Sequence, residues 1–369
     1  MRRLALNGAY EDVRRELLEA LLALDPREIK KLHVACTPSF YLDHFVSLSD
    51  ASEFCCALGA KYTAGGGNVP GLMQNLLPGG GAVNTAIGLA RLGLSSHFIG
   101  RTSELGHHIL KFFAENSGVD ISHAKTDGRL GQTLALEIGA KKVNVMFNDV
   151  GSNYDFGFDS LRDTDLELIE SSQLVSIHDW GTNVVGGTDL AEKTFEYAKQ
   201  YNVKTYFDSA DPSARIDDLR DLCTRVISST NLDIISMNQN ELQKYAGNAI
   251  IERAVEFKRN ITSRIDYHTP QYAASMGEAV AFSPVFDIEL HRSTGAGDAW
   301  NSGNIFAELL GLSPALRLCL ANAAAGYYVS SKRGAHPTLD DLIAFVRTTK
   351  LRPLPSDLNA VSQGTKKAR

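Results

Sequence analysis

The stretch "LVSIHDWGTNVVGGTDLAEKTFEYAKQYNVKTYFDSA" (174–210) decides the fold class. Its two ends, 174–180 and 204–210, are short apolar runs typical of buried strands, and residues 190–201 carry apolar side chains at helical spacing. The segment "LDIISMN" (232–238) then repeats the strand pattern. Strands that alternate with helices of this length indicate βαβ units and a parallel sheet. The sequence therefore predicts an α/β fold for this part of the chain.

Charge and composition limit the classes of partner. The 369 residues include 37 Lys and Arg against 43 Asp and Glu, a net charge of −6, and no long basic run. Nucleic acid and anionic membrane surfaces are therefore not expected partners. The five cysteines lack the spacing of a disulfide framework or a zinc knuckle. Without a signal-peptide core or a run of about 18 apolar residues, a cytoplasmic location is expected.

The remaining segments carry further signals of regular structure. Strands are predicted at "LHVACT" (32–37), "FYLDHFVSL" (40–48), "SSHFIG" (95–100), "GEAVAFSP" (277–284) and directly before residue 293, with a hairpin at "QTLALEIGAKKVNVMFND" (132–149). Helices are predicted at the N-terminus, 82–93, 298–310 and 313–331. The segment "GGGNVPG" (65–71) is interpreted as a hairpin turn, with a loop that contacts substrate as the alternative.

A glycine turn followed by an acid is the first chemical signal. In "RSTGAGDAWNSG" (292–303), two glycines flank one small residue and Asp298 opens a helical run. Backbone N–H groups of such a turn can converge on an anion, and the helix N-terminus adds positive potential. Because an aspartate repels phosphate, its useful role is to accept a proton from a hydroxyl that attacks a phosphoryl group. An ordinary N-cap aspartate is the alternative, and the residues alone leave both open.

A second glycine turn precedes another helix. The segment "GGGAVNTAIGLARLG" (79–93) places Asn84 in the first helical turn. It lacks the G-x-G-x-x-G spacing of a dinucleotide-binding motif. Gly80 and Gly81 can expose backbone to a polyhydroxylated ligand, while the Asn84 amide offers both a donor and an acceptor. A tight loop with a capping amide is the alternative interpretation.

These two stretches together resemble the paired signatures of the PfkB/ribokinase family of carbohydrate kinases. The resemblance covers residues 32–347. It implies a ribokinase-like three-layer α/β/α domain with a central, mostly parallel sheet and a small β-rich lid. It also implies transfer of phosphate from ATP, with Mg²⁺, to an alcohol group of a sugar, and a homodimer formed through the lid.

The resemblance assigns roles to further residues. Asp43 in "FYLDHFV" matches the family's sugar-binding aspartate, and a carboxylate can accept bonds from two neighbouring hydroxyls; a surface strand aspartate is the alternative. Asn238 and Glu241 in "MNQNELQKY" match the N-x-x-E motif, so Glu241 is expected to support Mg²⁺ through water. A helix capping box is the alternative for that pair.

Two residues are candidates for contact with the nucleotide. The segment "LANAAAGYYVSSKRGA" (320–335) resembles the family's helix beside the adenine, which makes Asn322 a candidate for base contact. Gly277 lies in "ASMGE" (274–278), which is interpreted as a loop that borders the nucleotide.

The sequence departs from the family pattern before the glycine turn. Many members have an acid and a threonine there, whereas this chain has "HRST" (291–294). His291 and Arg292 can act on phosphates or on a monovalent-ion site, which leaves potassium dependence uncertain. His178, Asp179 and Asn183 follow a strand at the sheet edge where open α/β folds bind ligands. The spacing of the histidines argues against a catalytic transition-metal site.

The predicted function is ATP-dependent phosphorylation of a hydroxyl group of a sugar or related polyol. Asp298 is the expected general base, and the backbone of Gly295, Ala296 and Gly297 is expected to stabilise the charge on the transferring group. The expected acceptor-binding residues are Asp43, Gly80, Gly81 and Asn84. A nucleoside kinase and a sugar-phosphate kinase are alternatives, the latter with Lys141 and Lys142 as candidate cations. A non-catalytic sugar or nucleotide sensor is the alternative from another class.

The predicted domain organisation has three parts. Residues 1–31 form an N-terminal helical extension, 32–348 the kinase-like domain, and 349–369 a flexible C-terminal tail. The lid is assigned to segments of about 38–65 and 97–150, which carry most of the β-type sequence outside the regular βαβ pattern.

Overall fold

The central sheet places the chain in the α/β class. A computed structural model describes residues 2–140, 143–356 and 358. Eight strands form this sheet in the order β14-β13-β12-β11-β10-β9-β1-β4. Their bounds are β1 His33–Thr37, β4 Ser95–Phe98, β9 Leu174–His178, β10 Lys204–Asp208, β11 Ile234–Asn238, β12 Arg264–His268, β13 Tyr272–Met276 and β14 Val280–Pro284. The six strands from β4 to β12 in this order run parallel, and β13 and β14 are antiparallel additions. The predicted mostly parallel sheet is confirmed.

Helices cover both faces of the sheet. They are α1 Arg2–Leu22, α2 Pro26–Ile29, α3 Ala51–Thr63, α4 Gly81–Arg91, α5 Glu104–Glu115, α6 Asp163–Ser171, α7 Gly187–Gln200, α8 Leu219–Leu222, α9 Gln239–Ala246, α10 Ile251–Lys258, α11 Ala296–Leu309, α12 Pro314–Ser330 and α13 Leu339–Thr348. One apolar core lies under α1, α4, α11, α12 and α13, and the other under α6, α7, α9 and α10. Strands buried on both faces need near-continuous apolar sequence, which explains the runs that predicted them.

A second, smaller sheet lies over one edge of the domain. Its strands are β2 Tyr41–Leu48, β3 Met73–Gly79, β7 Gly131–Ile138 and β8 Val143–Asp149, in the order β3-β2-β7-β8. The hairpin of β7 and β8 is confirmed. A short parallel pair, β5 Gly100–Arg101 with β6 Ala124–Lys125, stands apart from both sheets.

The structure corrects the predicted lid segments in detail. Residues 51–63 form helix α3, not β-structure, and β3 lies outside both segments. The 65–71 loop joins α3 to β3, so it is not a hairpin turn. The helix went unrecognised because its apolar side chains form no buried face except where Phe54 packs on the sheet.

Two further predictions of secondary structure were wrong. The segment before residue 293 forms a single bridge, Phe286 with Leu351, and no strand. Residues 274–276, interpreted as part of a loop, belong instead to β13. Single-sequence patterns resolve short edge strands poorly because pairing, not propensity, decides them.

Segments near both ends of the described part of the chain pack on the domain. The N-terminal helix α1 is confirmed, and its Leu17 and Leu21 are buried against α12 and α13. The predicted loose tail is wrong at its start, because Arg352 N–H donates to Val285 and Leu358 is 4% exposed. The other tail residues, 357 and 359–369, and the candidate cations Lys141 and Lys142 lie outside the described residues. Within the described part of the chain, no helix has the length and apolar character needed to cross a bilayer.

Candidate active site

The carboxyl ends of four neighbouring parallel strands meet at a cleft. Strands β9 to β12 end at His178, Asp208, Asn238 and His268, which all line a cavity of about 180 Å³. This is the edge of an open α/β sheet where ligands bind. The cavity is strongly acidic, since its lining also includes Asp179, Asp211, Glu241 and Asp298.

The predicted glycine turn closes one side of this cavity. Helix α11 begins at Ala296, two residues earlier than predicted, and Gly295 precedes it in a left-handed conformation with φ of 81°. A side chain at Gly295 would meet the Tyr328 hydroxyl at 2.5 Å. The amides of Gly297 and Asp298 fall in the first helical turn, where N–H groups have no partner within the helix. They are therefore free to face an anion in the cavity.

Asp298 does not cap its helix. Its side chain accepts a hydrogen bond from the Asn84 amide at 3.0 Å, and Gly81 lies so close that an added Cβ would be 3.3 Å from its Oδ1. Burial, followed by the negative charge of Asp179, raises the pKa of Asp298 well above its usual value. The carboxyl therefore binds a proton more readily than an exposed aspartate does.

Asp43 lies on β2 of the second sheet, beside the backbone of Gly79. It is 6% exposed, and its Oδ1 has no hydrogen-bond partner among the described residues. Burial raises its pKa to about 6, a hydrogen bond with Thr133 lowers it, and the charge of Asp179 raises it further. The charge of Asp43 also contributes to the raised pKa of Asp298.

The backbone of residues 79–81 runs between Asp43 and Asp298. A Cβ on Gly79 would lie 2.1 Å from Asp43 Oδ1, and one on Gly80 would lie 2.7 Å from the Ser39 carbonyl. Gly80 itself has a φ of 93°. The Gly81 N–H donates to Asp179 Oδ2 at 2.7 Å. These contacts require glycine, so the turn is built for close packing as well as for ligand access.

Asn238 and Glu241 satisfy both interpretations of the N-x-x-E motif. They form a reciprocal capping box at the start of α9, with Asn238 N–H donating to Glu241 Oε2 at 2.8 Å. The same two side chains line the acidic cavity. Burial, and then the charge of Asp208, raise the pKa of Glu241 well above its usual value. A capping role therefore does not exclude a role in the cleft.

The acidic cavity offers oxygen donors of the kind that Mg²⁺ uses, often through water. Across the described ranges, no group of three or more His, Cys, Asp or Glu side chains is arranged to hold a metal ion. The cavity does offer hard oxygen donors at Asp208 and Glu241, and burial raises the pKa of Asp208 to about 6. Positive charge near these buried carboxyl groups would favour their ionised forms.

A larger cavity adjoins the acidic one. It has a volume of about 510 Å³ and shares Asn238, Asn240, His268 and Gly297 with its neighbour. Its walls include Trp300, whose ring stacks on His268 at 4.7 Å. Much of the remaining lining is apolar: Val285, Phe286, Ile288, Leu290, Ala325 and Val329. Such a cavity suits a flat aromatic group beside a polar phosphate site.

The two predicted nucleotide contacts have different outcomes. Asn322 lines the larger cavity, but its Oδ1 accepts from Trp300 Nε1 at 2.9 Å and its Nδ2 donates to the carbonyls of Ser283 and Pro284. Its amide is therefore already used within the protein. Gly277 lies at the turn between β13 and β14, beside Arg264 at the start of β12. That is the opposite edge of the sheet, so the structure does not bring Gly277 to the cleft.

Three residues were predicted at the ligand-binding edge, namely His178, Asp179 and Asn183, and the structure places them in different environments. His178 and Asp179 line the acidic cavity, whereas Asn183 is a structural residue that donates to the Phe156 carbonyl. Burial lowers the pKa of His178 to about 3, so its ring is neutral near pH 7. Asp208 was missed, although an acidic residue near the end of a predicted strand, here 204–210, is a usable signal.

Comparisons with solved structures define the class of fold. The ribokinase of Arabidopsis thaliana, solved with ribose and ATP, aligns at a TM-score of 0.66 and 18% identity over 86% of this chain and 98% of its own. The adenosine kinase of Sinorhizobium meliloti aligns at 0.69 and 16% over 86% and 99%. The chain therefore has the ribokinase-like fold.

Sequence comparisons identify the family. The 5-dehydro-2-deoxygluconokinase of Geobacillus thermodenitrificans is 25% identical over 301 residues, 75% of this chain and 86% of that protein. The enzyme of the same name from Lacticaseibacillus casei is 27% identical over 304 residues, 73% and 86%. The model of the pfkB family of carbohydrate kinases matches residues 71–341. The chain belongs to that family, which confirms the resemblance seen in the two glycine motifs, and it is a kinase, a phosphate transferase.

The raised pKa of Asp43 gives a stability prediction. Its pKa is about 6 in the fold against 3.8 for an ordinary aspartate, so folding favours the protonated form. The stabilisation of the fold by the protonated Asp43 carboxyl is therefore full below about pH 4 and is lost as the pH rises through about 6. Asp43→Asn, which is neutral throughout, should raise the free energy of unfolding by about 2 kcal/mol at about pH 8 and by little at about pH 4.

Urea unfolding at the two pH values measures the difference. Asp159→Asn, at an exposed position, is the matched control and should show no such dependence. An equal effect of Asp43→Asn at both pH values would contradict the assigned burial of this carboxylate.

Proposed function

We propose that this protein transfers the terminal phosphate of ATP to a hydroxyl group of a sugar or sugar acid. The observation that carries the proposal is that Asp298, in the first turn of α11, lines the acidic cavity, accepts a hydrogen bond from Asn84 and lies close enough to Asp43 for that charge to raise its pKa. The names of the curated relatives make 5-dehydro-2-deoxygluconate the first acceptor to test.

The acceptor is proposed to lie between the second sheet and α4. The unpaired Oδ1 of Asp43 can accept hydrogen bonds from its hydroxyls, and burial strengthens such bonds. Asn84 holds Asp298 through its amide hydrogen, and the backbone at Gly80 and Gly81 sets the width of the site.

Asp298 is proposed to take the proton of the attacking hydroxyl. Its raised pKa brings it closer to the pKa at which a general base works near neutral pH. The amides of Gly297 and Asp298, with the end of the α11 dipole, then stabilise charge on the transferring phosphoryl group. The turn at Gly295 and Ala296 holds these amides in place.

The nucleotide is proposed to occupy the larger cavity, with its phosphates directed to Gly297, where the two cavities meet. Asn238, Asp208 and Glu241 would support Mg²⁺ through water molecules, and bound Mg²⁺ supplies positive charge to the nucleotide phosphates. Burial of these acids without a cation is unfavourable, so the metal–nucleotide complex should also stabilise the fold.

Arg292 is proposed to replace a monovalent cation behind the turn. Its guanidinium is buried against Tyr328 and the backbone of Gly334, and its Nη1 has no hydrogen-bond partner within the described residues. A permanent charge in this position makes a bound potassium ion unnecessary.

An acceptor panel tests the function and its alternatives together. Purified enzyme with ATP and Mg²⁺ should phosphorylate a sugar or sugar acid in preference to nucleosides and sugar phosphates, at similar rates in Na⁺ and K⁺ buffers. ADP formation in a coupled assay, with the product confirmed by mass spectrometry, provides the measurement. Turnover of nucleosides alone would support a nucleoside kinase, and binding without turnover would support a sensor.

The role of Asp298 is tested by Asp298→Asn. Because the amide cannot accept the hydroxyl proton, kcat should fall by about 10²–10⁴-fold while nucleotide binding is kept. Asp340→Asn changes an exposed acid in the first turn of α13 and should leave turnover unchanged. Turnover within about twofold of wild type in Asp298→Asn would remove this residue from the role of base.

The second sheet is proposed to act as a lid and as a dimer interface, within a kinase domain at residues 32–348. Its outer face exposes a row of side chains in register across the strands: Leu76, His44, Leu134 and Phe147. Leu76 and Phe147 are 56% and 57% exposed, which is unusual for apolar residues on a sheet that faces solvent. A second copy of the chain is the proposed occupant.

Light scattering after size exclusion tests the dimer. Wild type should elute as a dimer, and Leu76→Asp with Phe147→Asp should shift it to a monomer. Phe112→Asp on α5 is the control, since Phe112 is 64% exposed away from this sheet. A monomeric wild type would reject this interface.

A further inference from the structure

The second sheet touches the glycine turn as well as covering the acceptor site. The strand register places Asp43, Phe45, Glu137 and Asn144 on the same inner face. Asp43 belongs to the acceptor site, but Phe45 and Asn144 have no part in the chemistry proposed above. Both make contacts with residues that immediately precede Gly295.

The first contact is a hydrogen bond from β8 to the turn. Asn144 Nδ2 donates to Thr294 Oγ1 at 2.5 Å, across 150 positions of sequence. Thr294 directly precedes Gly295, whose left-handed conformation sets the direction in which α11 begins. Although most of β8 is exposed, this end of the inner face is covered: Asn144 is half-buried, and Glu137 beside it is 6% exposed.

The second contact places the Arg292 side chain between Phe45 of the second sheet and Tyr328, which packs against the glycine turn. The Arg292 guanidinium carbon lies 5.6 Å from the Phe45 ring centroid and 5.7 Å from that of Tyr328. Both distances fit a cation–π interaction. The Tyr328 hydroxyl in turn lies directly beneath Gly295. Phe45 contacts Arg292, Arg292 contacts Tyr328, and Tyr328 contacts Gly295. This second series of contacts therefore also links the sheet to Gly295.

We infer that Asn144 and Arg292 are positioning residues that hold the phosphate-binding turn in its productive conformation only while the second sheet is seated. The amides of Gly297 and Asp298 converge on an anion only if the Gly295 turn is fixed, and the sheet fixes it through Thr294 and Tyr328. Because Asp43 lies on the same rigid sheet, a bound acceptor that seats the sheet also orders the turn. Phosphoryl transfer would then be favoured over hydrolysis of ATP by water.

This inference rests on the proposed function for its kinetic consequence, but the coupling itself is measurable without turnover. Hydrogen–deuterium exchange of the full-length protein with ADP and Mg²⁺ follows the amides of residues 293–299. Asn144→Ala should speed their exchange by about tenfold and leave α13 unchanged. Asn148→Ala is the matched control, since Asn148 is exposed on the same strand and face. Unchanged exchange at 293–299 in Asn144→Ala would overturn the inference.

A double-mutant cycle supplies the kinetic test. Asn144→Ala and Thr294→Val should each lower kcat by about tenfold, raise the ratio of ATP hydrolysis to acceptor phosphorylation, and leave the KM for ATP near wild type. The double variant should be no worse than either single variant, because both remove one bond. Additive losses, or a change confined to the KM for acceptor, would overturn it.

A second variant tests the coupling with a substitution that should not disturb folding. Phe45→Leu keeps the position apolar and removes only the ring over Arg292, so it should show the same rise in the ratio of ATP hydrolysis to acceptor phosphorylation with a stable fold. If wild type turns over no acceptor while Asn144→Ala still speeds exchange at the turn, the proposed function fails and the coupling stands. If wild type is active while Asn144→Ala leaves exchange at the turn unchanged, the coupling fails and the proposed function stands.

Discussion

Several carboxyl groups are buried close together near the N-terminus of α11, and this constraint shapes the rest of the site. Asp43, Asp179, Asp208, Glu241 and Asp298 all have pKa values raised by burial, and several raise one another's further. Such an arrangement is unfavourable in the empty fold, because like charges in a low dielectric repel. It becomes favourable when protons, a divalent cation or hydroxyl donors enter. Burial of these carboxyl groups therefore favours their protonated forms.

Close helix packing brings these groups together. A Cβ on Gly88 of α4 would lie 2.5 Å from Ser302 Oγ of α11, and a Cβ on Gly303 would lie 2.8 Å from the Ala324 methyl group of α12. These small residues let the helices approach until Asn84 reaches Asp298. A methyl group at such a position would require the neighbouring atoms to shift.

Family membership and site geometry account for different parts of the molecule. The ribokinase-like fold supplies the acidic cavity and the adjoining apolar one, with Gly297 at their junction. The second sheet carries Asp43 and contacts the glycine turn at Thr294. Residues such as Asn322 illustrate a limit of transfer between relatives, since this amide is committed to Trp300 and backbone carbonyls.

The sequence by itself determined the parallel sheet, the two glycine turns and the family, because each depends on local patterns: apolar runs, helical spacing and short motifs. It also predicted Asp43, Asn84 and Asp298 as candidate site residues. Helix α3, strand β13 and the placement of Gly277 were decided only by tertiary structure, since pairing and packing, not propensity, select among short ambiguous segments. The same holds for the contacts of Arg292 and Asn144. Their partners, Phe45 and Thr294, are distant in sequence, and only folding of the second sheet onto the domain brings them within reach.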